Sequence, residues 1–245
     1  MGDRPVAIVS DAADYVGPAL TRLLASTHDL VLGDPADDLV DAVRSAGSDV
    51  AVVSGRRDLA APGATEELVD TALDLFGRLD AAVAFTGAIV VGRFLRSELD
   101  DLRRVLVGCV EAPYLFLRTV VATMVERGGG EVLIFTSAAG ARPTPGAPLY
   151  SSARAAANML VRNVASEVAD RNVQVNAIGT NFMDFPGFLR ANRAEDPEGR
   201  VRVEATVPMR RLGTMEELAH MASPFIDGTS RFTTGQFVAV AGGWV

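Results

Sequence analysis

The chain reads as an α/β fold: a parallel sheet of about seven strands, doubly wound, with helices on both faces, in one domain spanning 1–245. Three observations predict it. Short apolar runs alternate with longer amphipathic stretches from end to end. The runs are nearly continuous in β-branched and aliphatic residues, as strands buried on both faces require. A length of 245 residues, 49% of them hydrophobic, is enough for one substantial core.

In chain order the predicted strands are V-A-I-V at 6–9, L-V-L at 30–32, V-A-V-V at 50–53, A-A-V-A-F at 81–85, E-V-L-I-F at 131–135, V-Q-V-N-A-I at 173–178 and F-V-A-V at 237–240. Helical stretches lie between them; T-E-E-L-V-D-T-A-L-D-L-F at 65–76 carries its apolar residues at helical spacing. Two helix starts are legible. Asp34 before Pro35 reads as an N-cap with proline at the first helical position, and Thr214 with Glu217 reads as a capping box. Strands alternating with helices imply right-handed crossovers, so the arrangement is Rossmann-like. The longest irregular stretch, 182–200, borders the carboxyl ends of the strands, where ligands bind, and is expected to serve as a lid.

Composition excludes several function classes. A net charge of −8 provides no basic face for nucleic acid and no attraction to an anionic membrane. No apolar run approaches the roughly 18 residues a membrane span needs. The start, M-G-D-R-P-V-A-I-V-S, shows no secretory leader, and Val6 stands where a myristoylation motif requires Ser or Thr. Cys109 is the one cysteine, which suits a reducing, cytoplasmic setting, and its expected role is that of a small buried hydrophobe. His28 and His220 read as helix-flank or surface residues. No spacing of His, Cys and carboxylates suggests a metal.

After the first strand comes S-D-A-A-D-Y-V-G, Ser10 to Gly17. A dinucleotide loop needs glycines here for the tight turn, for backbone contact with pyrophosphate and for helix packing. Only Gly17 remains. Asp11 and Asp14 would add negative charge beside a diphosphate, and Tyr15 brings a ring where backbone should meet ligand. Asp34, about where a ribose-binding acid would lie, is equally well explained as the N-cap.

The strongest chemical signal is S-A-A-G-A-R-P-T-P-G-A-P-L-Y-S-S-A-R, Ser137 to Arg154. Ser137 follows a predicted strand, and Tyr150 opens a helix thirteen residues later. Tyr150 and Arg154 are four apart and share a helix face. A phenol ordinarily titrates near about 10, so a fixed cation beside it is what would let it act as a base. Arginine supplies that charge permanently. An ordinary Tyr/Arg pair on an amphipathic helix has the same spacing; the serine and the apolar run A-A-A-N-M-L after Arg154 favour a site.

With these motifs in view, the chain resembles the short-chain dehydrogenase/reductase (SDR) superfamily from end to end, in the order Ser, Tyr, basic residue. R-R-L-G-T-M-E-E-L (210–218), T-T-G-Q-F (233–237) and A-G-G-W (241–244) fit as well. It departs from the usual Y-x-x-x-K, from the T-G-x-x-x-G-x-G loop, and from N-A-G after the fourth strand, which is F-T-G (85–87) here. The helical asparagine of that superfamily is replaced near Cys109. In its departures the chain is similar to the halohydrin dehalogenases, a cofactor-free offshoot whose loop T-x4-(F/Y)-x-G is matched by Ser10, Tyr15 and Gly17. Its strand-six turn also resembles A-I-G-T-N-F (177–182).

That closer resemblance implies a carbon–halide lyase needing no cofactor: a vicinal halohydrin closes to an epoxide, releasing halide and a proton, and small anions (azide, cyanide, nitrite, halide) reopen the epoxide. Tyr150 would take the hydroxyl proton, Arg154 would favour the phenolate, and Ser137 would orient the substrate oxygen. Main-chain N–H groups around Thr180, Asn181 and Phe182, with the ring edges of Tyr15 and Phe182, would receive the halide. Phe85, Phe185 and Trp244 would line the substrate pocket, with a core role open for each of these aromatics. A homotetramer packed through the helices around 98–127 and 148–170 is implied too. Two other readings stand beside this one: an NAD(P)-dependent SDR enzyme with a divergent cofactor loop, and a non-catalytic sensor or assembly protein. The retained Ser–Tyr–basic set argues against the last.

Overall fold

The computed structural model describes residues 3–245. Met1 and Gly2, on which the expectations about a leader and acylation bear, lie outside the described residues. The strands are β1 (Val6–Val9), β2 (Asp29–Gly33), β3 (Val50–Val53), β4 (Ala81–Phe85), β5 (Gly130–Ser137), β6 (Val173–Thr180) and β7 (Phe237–Val240). All seven predicted strands are present, and β5 and β6 each extend two residues further toward the site. They form one parallel sheet in the order β3-β2-β1-β4-β5-β6-β7. The order reverses between β1 and β4, and at such a switch point the carboxyl ends of the strands open a crevice.

The near-continuous apolar strands follow from two cores. Successive side chains of a strand point to opposite faces. Val6 and Ile8 therefore enter one core and Ala7 and Val9 the other. Val132 and Ile134 of β5 likewise oppose Leu133 and Phe135. The first core is closed by α3 (Ala64–Phe76), α5 (Ala112–Arg127) and α6 (Pro148–Val168), through Leu68, Phe116 and Val161 among others. The second is closed by α1 (Gly17–Leu24), α2 (Asp37–Ser45) and α9 (Met215–Ala222), through Leu20, Leu39 and Leu218. Burying one such side chain contributes roughly 1.5–3 kcal/mol.

Between β4 and β5 the helix α4 (Leu99–Leu106) continues through a π-helical turn, Val107–Glu111, into α5. By length and composition the helix Leu99–Arg127 is apolar enough to cross a membrane, an 18-residue window within it having a mean hydropathy of 1.6. This corrects the expectation that nothing approaches such a length: the π-turn joins two apolar segments, and only Glu111 and Arg118 interrupt the stretch between Arg104 and Glu126. Its inner face, including Phe116, Val120 and Met124, lies in the core.

Three local expectations are also corrected. Asp34 is not an N-cap: α2 begins three residues later, Ala36 precedes it, and Asp34 takes a left-handed φ of 49°. Its carboxylate instead accepts from the backbone N–H of Gly55 and Arg56. The stretch 182–200 is not irregular, because it holds α7 (Pro186–Ala191) and α8 (Pro197–Glu204), each opened by a proline. Proline suits a first helical turn, where its missing N–H is no loss. His28 is buried rather than peripheral, and burial holds its imidazole below the usual histidine range. The capping box at Thr214 and Glu217 forms as expected, and Cys109 is buried.

Candidate active site

The site lies where the carboxyl ends of β1, β4, β5 and β6 converge. On the β1 side, Ser10 ties two strand ends together, its Oγ accepting from the N–H of Phe85 at 3.2 Å. The loop then turns at Tyr15, whose φ of 55° is a left-handed conformation uncommon for a bulky residue. Gly17 opens α1 against the loop it follows. A Cβ there would stand 2.1 Å from the carbonyl oxygen of Asp11.

The Tyr15 ring points inward, edge-on to Phe85, Phe135 and Phe185 at centroid distances of 6.1, 5.9 and 4.9 Å. Its hydroxyl pairs with the Thr180 hydroxyl at 2.5 Å. Burial pushes this phenol above the ordinary tyrosine value, and the nearby Tyr150 adds to the shift. Phe182, the expected partner of Tyr15 in a halide pocket, belongs to another group, with Phe188 at 6.0 Å and Trp244 at 5.7 Å. Phe85 stacks on Phe135 at 4.9 Å, and Arg142 lies over the Trp244 ring at 4.6 Å.

The N–H groups expected to form an anion cradle are occupied. That of Phe182 donates to Asn181 Oδ1 at 2.9 Å, and that of Asn181 to the carbonyl of Val240 at 3.3 Å. The turn at 180–182 is thus satisfied within itself and by β7. Asp11, expected to leave bare negative charge on the loop, is paired with Arg57 at 2.6 Å.

On the other side, β5 ends at Ser137. Its Oγ accepts from the N–H of Ala139 at 3.2 Å and donates to the carbonyl of Thr180 at 3.4 Å. A 3-10 turn, Ala138–Ala141, leads toward α6, which begins at Pro148. Ser151 fastens the two, donating to the carbonyls of Ala139 (2.7 Å) and Arg142 (3.0 Å). Tyr150 and Arg154 then share a face of α6 as their spacing predicts, the guanidinium carbon 5.1 Å from the centre of the Tyr150 ring.

Arg154 is 4% exposed. Its guanidinium donates to the carbonyl of Thr86 and, at 3.4 Å, to the Thr86 hydroxyl. Its Nε is buried with no partner, and among the described residues no carboxylate pairs with it. A buried cation without a counter-charge is costly, and such groups cluster at functional sites. A phenol, a fixed cation and a strand-end hydroxyl form a set able to move a proton on and off a substrate oxygen.

Sequence reasoning misses Thr86, although its motif F-T-G departs from the pattern usual after the fourth strand. The one available signal was its place directly after a predicted central strand. Phe135, which completes the ring group around Tyr15, was hidden inside a strand run. Among the described residues there is no cluster of metal-binding side chains.

The comparisons with known proteins now bear on this geometry. The family model described as "Enoyl-(Acyl carrier protein) reductase" matches residues 19–245. "Dehydrogenase/reductase SDR family member 4" of Bos taurus is 30% identical over 252 residues, covering 98% of this chain and 87% of that protein. The crystal structure of acetoin dehydrogenase from Enterobacter cloacae superposes with a TM-score of 0.84 at 26% identity, over 98% of this chain and 96% of that one. A 7α-hydroxysteroid dehydrogenase complexed with NADH and 7-oxo glycochenodeoxycholic acid gives 0.86 at 26% identity, over 98% and 93%.

These findings overturn the expectation of a halohydrin dehalogenase, a carbon–halide lyase independent of cofactor, since the relatives are named as dehydrogenases and reductases. The physical reason for the misreading is plain. An altered loop and a Lys-to-Arg exchange report how an anion site and a cation are built. They do not report which bond the proton transfer accompanies. End to end, the chain belongs to the short-chain dehydrogenase/reductase superfamily.

Proposed function

We propose that this protein is an SDR oxidoreductase that interconverts a hydroxyl and a carbonyl group on a small molecule, with Tyr150 exchanging the proton of that oxygen and a nicotinamide dinucleotide, the group the family implies, as the hydride partner. The observation that carries the reading is the Arg154 guanidinium, buried without a carboxylate and fixed 5.1 Å from the Tyr150 ring. In the reducing direction the Tyr150 hydroxyl donates to the oxygen as it gains negative charge. In the oxidising direction the Tyr150 oxygen takes the alcohol proton. Arg154 offsets the negative charge left on the phenol oxygen in the first case, and Ser137 donates a hydrogen bond to the substrate oxygen.

The family implies a nicotinamide dinucleotide, and NADH is named with the related steroid dehydrogenase. The residues in the crevice do not fit it as they stand. The Tyr15 ring fills the space beside β1 and β4 and is latched to Thr180. The Gly17 N–H is donated to Asp14, Pro18 has no N–H to offer, and both carboxylate oxygens of Asp34 already accept backbone N–H groups. The proton chemistry belongs to this chain's own residues, Tyr150, Arg154 and Ser137, whatever conformation would admit the dinucleotide.

The test is to mix purified protein with NADH or NADPH and a panel of small ketones, and with the oxidised nucleotides and the matching alcohols, following nicotinamide absorbance. Turnover with one nucleotide, absent in Tyr150→Phe, is expected. Silence across the whole panel, in the wild type and in a Tyr15→Ala variant that empties the crevice, overturns the proposal. For assembly, we propose a homotetramer, supported by the exposed apolar side chains Leu106, Tyr114 and Met159 on the long helices. Light scattering at the mass of one chain would set that aside. The lone buried Cys109 supports a reducing compartment.

A further inference from the structure

We infer that Gly87 is a positioning residue: its bare backbone, pressed inward by Gly108, is the seat that holds the Arg154 guanidinium beside Tyr150. This rests on the reading of Tyr150 and Arg154 given above. Gly87 has a φ of 137°, in the left-handed range that favours glycine. A Cβ at this position would lie 1.8 Å from Nη2 of Arg154 and 2.6 Å from its Cζ. The guanidinium therefore lies against the peptide in space that any other residue would fill.

The segment Thr86–Ala88 cannot easily retreat from such a side chain. On its far side is Gly108, in the π-helical turn between α4 and α5. A Cβ on Gly108 would stand 2.6 Å from the Ala88 nitrogen and 2.9 Å from the Gly87 carbonyl carbon. Cys109, next in the turn, points its thiol at the Ala88 carbonyl, 3.7 Å away. Single π-turns recur at functional sites because the extra residue reshapes a helix face locally. Here the turn brings a glycine, not a side chain, against the strand end.

Beyond this seat the cation has only the Tyr150 ring and Thr86. Thr86 supplies the hydrogen-bond acceptors, Nε has no partner, and no carboxylate is in reach among the described residues. The planar guanidinium suits a flat slot along a peptide. A lysine ammonium is a compact point charge and would not need one. Gly87 and Arg154 thus form a matched pair, and the damage done by a methyl group at 87 depends on which cation stands at 154.

The experiment compares the wild type with Gly87→Ala, Arg154→Lys, the double variant and Thr86→Val, after thermal unfolding has established that each is folded. Arginine-selective 15N NMR reads the guanidinium directly, the Arg154 Nε–H signal being the one lost in Arg154→Lys. In Gly87→Ala that signal should move, and its exchange with solvent should quicken by about tenfold or more as the seat opens. Where Gly87→Ala does not fold, Thr86→Val, which removes one acceptor from the seat, should quicken exchange by a smaller factor. An unchanged Nε–H in whichever variant folds overturns the inference.

Turnover gives the second readout. Gly87→Ala should lower kcat by up to about 100-fold at little change in KM, since displacing a positioned group by roughly 1 Å has that scale of effect. The double variant should return to the level of Arg154→Lys alone; a double variant worse than both singles overturns the matched pair. A held Nε–H with no turnover in any protein would leave the seat standing and sink the oxidoreductase reading. Turnover with a freely exchanging Nε–H in the wild type would do the reverse.

Discussion

The crevice has two walls that treat their polar groups in opposite ways. On the β1–β2 side nearly every one is answered from within the chain: Asp11 by Arg57, Asp34 by Gly55 and Arg56, and the Tyr15 hydroxyl by Thr180. On the β5–α6 side a buried guanidinium lacks a counter-charge and has an unpartnered Nε, while the Ser137 hydroxyl donates only a long bond, to the Thr180 carbonyl. Buried polar groups are normally satisfied, and exceptions call for a reason. The contrast teaches that the first wall is satisfied from within the chain in this conformation, and that the second keeps unmet polar groups, which the proposed function assigns to a reacting oxygen.

The sharpest way to break that contrast is at its two tyrosines. Tyr150→Phe should lower turnover by about 10²–10⁴-fold, the usual scale for loss of a general acid–base, with the melting temperature nearly unchanged. A loss below about tenfold would remove Tyr150 from the reactive wall.

The next effect falls on stability at the other wall. Gly17→Ala would place a Cβ 2.1 Å from a backbone oxygen that cannot rotate away. Overpacking of this kind costs about 1–3 kcal/mol. For a chain of this size each kcal/mol lowers the melting point by about 2–4 °C. A melt unchanged in differential scanning calorimetry would show that the loop yields and is not a rigid wall.

The smallest effect should come from Tyr15→Phe, which removes one hydroxyl and keeps the ring. Turnover should fall by less than about tenfold, because burial keeps this phenol protonated and it is no base. Its signature lies in alkaline stability. The folded state holds the Tyr15 proton above the ordinary value of 10.0, where the unfolded chain releases it. The wild type's advantage over the variant is therefore complete below that value and shrinks as pH rises past it. Urea unfolding on both sides of that pH checks the sign; an advantage that grows with pH would mean the phenol ionises more readily when folded.

How much of this was legible depends on how far apart in sequence the partners are. Six of the seven strands could be read because the apolar run is uninterrupted over consecutive residues; V-Q-V-N-A-I carries Gln174 and Asn176 between its apolar residues. The pairing of Tyr150 with Arg154 could be read because one helical turn decides it. The capping box at Thr214 and Glu217 belongs to the same class. Asp34 was misread because a local rule, an acid before a proline, competed with acceptors wanted by Gly55 and Arg56 from the next strand end. The stretch 182–200 was misread as loop because its two helices are short and begin at prolines, which look like breakers until the helical turns behind them are seen.

By itself the sequence determined the parallel sheet, its two cores and the helix face that Tyr150 and Arg154 share. All of these rest on spacing along one segment or on alternation within it. Only the tertiary structure decided that Thr86 and Gly87 seat Arg154, that Tyr15 closes on Thr180 instead of sharing a pocket with Phe182, and that Arg57 quiets Asp11. Those partners lie 68, 165 and 46 residues apart. Contacts at such separations are made where crossovers bring strand ends together at the switch point, and no local periodicity in the chain encodes which side chains will meet there.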